Sequence, residues 1–60
     1  MKRTNGYLMD NNVKVINILN KLAKTYEVKY RKFALNTLNV EITADEKDWA
    51  RIEKTLAPIV

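Results

Sequence analysis

Between Val13 and Tyr26 the apolar residues return every three or four positions, a rhythm that commits this stretch to a helix with one wet side. Val15, Ile16, Ile18, Leu19, Leu22, Ala23 and Tyr26 share one broad arc. Lys14, Asn17, Asn20, Lys21, Lys24 and Thr25 take the other, and Val13 is out of phase. Such a helix rises about 21 Å, enough to floor a very small domain. Asp10, Asn11 and Asn12 precede it, and each can accept the free amide hydrogens of a first turn.

A helix of this kind needs something to lie on, and the chain has few means of making it. At 60 residues it forms one small domain, of a size that buries only about 60% of its extended surface. It has no cysteine and no histidine, so a disulfide framework and a thiolate metal site are excluded, and the commonest metal ligand is missing. Self-association is the remaining route to stability, and a homodimer is expected.

The rest of the chain reads in order. Residues 1–9 are expected to form a loosely ordered basic arm carrying Lys2 and Arg3, because unsecured termini fray. The alternative is a short hairpin turning at Asn5-Gly6. Glu27 to Phe33 favours a strand through Val28, Tyr30 and Phe33, with a turn near Leu35-Asn36-Thr37. Leu38, Val40 and Ile42 alternate with Asn39 and Glu41, which defines a second strand. Thr43 and Glu46 have the spacing of a capping box, and a helix follows to about Ala57, where Pro58 stops it. Trp49, Ile52 and Leu56 form its apolar stripe, which Ile59 can extend.

The fold class is therefore α+β, a helix–β-hairpin–helix (αββα) module with both helices on one face of the hairpin. If 27–34 instead continues the first helix, the fold is mainly α. A lone hairpin is a poor core, so two copies pairing into a four-stranded sheet would complete it.

Charge is uneven along the chain. Met1 to Lys32 holds eight basic residues against Asp10 and Glu27, whereas Phe33 to Val60 is net acidic, for a total of +4. Lys14, Asn17, Lys21 and Lys24 form a stripe along the wet side of the first helix. Lysines there suit phosphate, and an asparagine can read adenine in a major groove. Lys29, Arg31 and Lys32 interleave with Tyr30 and Phe33, the composition of a surface on which rings stack and cations meet phosphates. The bland readings are a solvated helix face and a charge-protected edge strand.

Catalysis finds no support. Nucleophilic chemistry wants Ser or Cys beside a base, and the chain has no Ser, Cys or His. Asp45, Glu46 and Asp48 cluster where a helix begins, and the helix dipole accounts for them. Leu22 to Val28 lacks the turn glycine common in helix-turn-helix motifs. No cofactor and no metal is expected. Nor is there an apolar run of membrane-spanning length or the apolar segment of a leader, so the cytoplasm is the expected location.

These features point to a small basic nucleic-acid-binding regulatory protein, non-enzymatic and homodimeric. Its contacts would be Lys14, Asn17, Lys21, Lys24, Lys29, Arg31 and Lys32, with Lys2 and Arg3 on a mobile arm. The alternative is a protein-binding adaptor or inhibitor of the mobile-element type, docking on an acidic surface of a partner protein.

Overall fold

The alternating stretch around Val40 becomes the middle of the molecule. In the computed structural model, which describes residues 1–59, it forms a strand β3 (Thr37–Asp45). Strand β1 (Lys2–Asp10) pairs on one side of it and β2 (Glu27–Ala34) on the other. Both neighbours run antiparallel to β3 and hence parallel to each other. Helix α1 (Val13–Ala23) makes the crossover that parallel strands require, and α2 (Glu46–Leu56) follows β3 directly.

The protein is thus a small α+β domain with two helices against a three-stranded antiparallel sheet. Val15, Leu19 and Leu22 of α1 and Trp49, Ile52 and Leu56 of α2 descend on one sheet face. There they meet Met9, Leu38, Val40, Ile42 and Ala44 in a single core. Leu19, Val40, Ile42 and Ile52 are wholly excluded from solvent. Val13, the residue out of phase, is 74% exposed.

The order is βαββα, which corrects the αββα expectation by one strand. The loosely ordered arm expected over 1–9 is instead β1, in unbroken register with β3 from Lys2 opposite Asp45 to Asp10 opposite Thr37. Its alternation is weakly amphipathic: Arg3, Asn5, Tyr7 and Met9 point toward the helices, yet only Met9 is fully buried. The ladder to β3 holds it, together with a 2.7 Å bond between the hydroxyls of Thr4 and Thr43. Asn5-Gly6 therefore lies mid-strand, and no described residue has the positive φ of a hairpin turn there.

Two boundaries also differ from expectation, the end of α1 and the start of α2. Helix α1 ends at Ala23 rather than Tyr26: its last turn tightens, with the Lys24 and Thr25 amides bonding three residues back to the Lys21 and Leu22 carbonyls, and the chain then turns into β2. The 27–34 segment is a strand, so the mainly α alternative falls away. A bulge sets Phe33 and Ala34 against Thr37. The capping box at Thr43 does not form, since β1 holds Thr43 extended within β3 and its hydroxyl is engaged by Thr4. Asp45 is the N-cap of α2 instead, without a side-chain cap bond. At α1 the expected capping does occur: Asn12 accepts from the Val15 amide at 2.9 Å.

Trp49 is the anchor of α2. Its ring is 2% exposed, and its indole N–H donates to the Ala44 carbonyl at 3.1 Å. That bond satisfies the only polar atom of a buried ring and ties α2 to the strand it follows.

Candidate nucleic-acid interface

The fold sorts the expected contact residues onto opposite sides of the molecule. With Val15, Leu19 and Leu22 turned to the core, Lys14, Asn17, Lys21 and Lys24 stand exposed on the outer side of α1. Their spacing keeps them on one stripe. Lys29 and Arg31 lie opposite Glu41 and Asn39 of β3 and so share the sheet face that no helix covers. Lys32, opposite Leu38, points to the helix side but is exposed near the end of β2. The helix stripe and the Lys29–Arg31 pair therefore cannot touch one flat surface together.

Arg3 is not on a mobile arm. Its guanidinium sits 4.8 Å from the centre of the Trp49 ring and 3.4 Å from a Glu46 carboxylate oxygen. The Nε atom is buried without a partner, so this arginine is occupied in packing. Lys2 is the strand residue opposite Asp45, on the uncovered face.

The two sides differ in charge. Strand alternation places Lys2, Lys29 and Arg31 on the open sheet face with Asp10, Glu27, Glu41 and Asp45, a net −1. The remaining charges, on or beside the helices, sum to +5 of the total +4. Lys29 is also flanked by carboxylates: Glu41 faces it across the strand pair, and Glu27 stands two residues away on its own strand. Helix α1, by contrast, contains two lysines, is capped by a third at Lys24, and has no acidic residue.

Across from Lys21 a second element contributes. Lys21, Leu22, Thr25 and Tyr26 form one wall of a groove whose other wall is Arg51 and Thr55 of α2. The Thr55 hydroxyl donates to the Arg51 carbonyl at 3.0 Å. Arg51 was not among the expected contacts; its placement beside Lys21 comes from the packing of the two helices. Among the described residues the one ion pair is Arg3–Glu46, so neither the α1 lysines nor Arg51 are held in one, although Arg51 also lines a second groove with Glu27, Asp45 and Asp48.

The described residues hold no group of three or more His, Cys, Asp or Glu side chains that could grip a metal ion. No described helix is long and apolar enough to cross a membrane. No family model, curated protein or solved structure matches the chain.

Proposed function

We propose that this chain is a small basic nucleic-acid-binding regulatory protein of the cytoplasm, non-enzymatic and homodimeric, with its helix side as the contact surface. One observation carries the reading: the solvent stripe of α1 presents Lys14, Lys21 and Lys24 with no carboxylate among them. Arg51 adds a fourth cation across the groove from Lys21. Lysines positioned this way neutralise phosphates and release counterions, which supplies affinity without sequence preference. Asn17, between Lys14 and Lys21, is the residue placed to read a base edge. Lys29, Arg31 and Lys32 leave the contact set, except where a strand wraps around the end of the sheet.

Binding to duplex and single-stranded DNA and RNA, measured as a function of salt, tests this. Four contacts per copy give a log–log salt slope of about −3.6 on duplex DNA and nearer −2.8 on single strands. Asn17→Ala should change discrimination between sequences while leaving that slope in place. Absence of retention on any nucleic acid at low salt would transfer the reading to the adaptor alternative. Phe33 and Leu35, 63% and 77% exposed, offer apolar area to a protein partner in that case. Pull-down from lysate with and without nuclease then separates the two.

A further inference from the structure

The two edges of the sheet are built differently. Strand β2 carries Glu27, Lys29, Arg31 and Lys32 and ends in a bulge at Phe33 and Ala34. Tyr30 is also tied to α1 by a 3.3 Å bond from its hydroxyl to Asn20. Charges, bulges and covering elements are the devices that keep an edge strand from pairing with another chain. Strand β1 has no bulge, and its charges, Lys2, Arg3 and Asp10, are confined to its ends. It runs nine residues without a bulge or proline, and Thr4 to Met9 carries no charge. An edge so long and so unprotected is a template for another strand.

We propose that β1 is the edge through which two copies of this chain join, antiparallel about a twofold axis at Gly6, to make one six-stranded sheet. The sequence of β1 is self-complementary in that register. With Gly6 opposite its own copy, Lys2 faces Asp10 of the second copy at both ends of the ladder. Thr4 faces Leu8, and Asn5 faces the half-buried Tyr7. Opposite charges directly across a strand pair stabilise it, whereas a slip of two residues removes both pairs. On the helix side the pairing brings Asn5 of one copy over Tyr7 of the other, closing the shallow groove that Tyr7 lines with Glu53, Leu56 and Ala57. The open faces of both copies stay on one side and the four helices on the other. The proposal rests on the homodimeric part of the reading above and is independent of its nucleic-acid part.

Disulfide trapping tests the register. The chain has no cysteine, so Gly6→Cys introduces its one thiol. The new Cβ meets nothing closer than the Val40 carbonyl oxygen, at 3.9 Å, so the strand accommodates it. Residues directly opposite in an antiparallel pair have Cα atoms about 4.5–5.5 Å apart, within disulfide reach. Under mild oxidation Gly6→Cys should convert completely to a covalent dimer. Thr43→Cys, on the central strand, should stay reduced. A second measurement needs no cysteine: Asp10→Lys should raise the dimer dissociation constant severalfold by setting like charges opposite at both ends. Adding Lys2→Asp should bring it back. A wild-type chain that sediments as a monomer at high micromolar concentration overturns both the homodimer and this proposal. A dimer by mass in which Gly6→Cys links no faster than Thr43→Cys, or in which the charge swap restores nothing, overturns the β1 edge alone.

Discussion

The side of the sheet that carries the helices and the side left open are made from the same three strands, yet they differ in nearly every physical respect. Beneath the helices lie the fully buried side chains, and above them lies most of the positive charge. The open side is a mosaic of Lys2, Lys29 and Arg31 among four carboxylates. Charge segregates by face, although along the chain it segregates by half. A partner reading this molecule through phosphates meets a field on one side and near-cancellation on the other.

The largest effect that could break this comparison is on stability. Leu19 is wholly buried between α1 and the sheet, so Leu19→Ala should cost about 2–5 kcal/mol in urea unfolding. Phe33→Ala, toward the open side, should cost under about 1 kcal/mol, as at an ordinary surface position. Equal losses would mean that the open side is covered in solution, by a second copy or otherwise.

Next in size are the helix starts, which sharpen the account of the covered side. Asn12→Ala removes a formed cap bond and should cost about 1 kcal/mol. Asp45 makes no such bond, so Asp45→Ala should lose the dipole interaction, about 0.3–1 kcal/mol, and whatever its position opposite Lys2 adds. If Asp45→Ala proves the costlier of the two, the pairing of Asp45 with Lys2 across the strands outweighs a formed cap. Smallest of all, Glu41→Gln deletes the carboxylate facing Lys29 on the open side and should cost about 0.2–1 kcal/mol. Affinity for nucleic acid should rise slightly or not at all in that variant; a large rise would place Lys29 in the contact surface.

Much of this architecture was legible in the residues. The period of α1, the alternation around Val40 and the Trp49 stripe each match one face of a regular element, and those faces form the core. Strand β1 was not legible, because its inward positions are Arg3, Asn5, Tyr7 and Met9, two of them polar, while Leu8 points out and is 61% exposed. No period-two signal survives such an arrangement; only pairing with β3 makes it a strand. The capping box failed for a related reason, since Thr43 is claimed by the same pairing. Of the candidate interface, the stripe on α1 was readable from spacing alone. Its separation from Lys29 and Arg31 was not, because a three-residue turn at Lys24–Tyr26 carries neighbouring lysines to opposite sides of a sheet.

The central claim is that position on the helix side, and not charge alone, decides contact with nucleic acid. Two double reversals of equal charge isolate it: Lys21→Glu with Lys24→Glu on α1, and Lys29→Glu with Arg31→Glu on β2. Titration of duplex DNA across a salt series reads both affinity and the number of phosphates neutralised. The α1 pair should weaken binding and flatten the log–log slope by about 1.8, two contacts' worth. The β2 pair should leave the slope as it is in the wild-type chain. A β2 pair that flattens the slope as much as the α1 pair, or more, would contradict the assignment of the helix side.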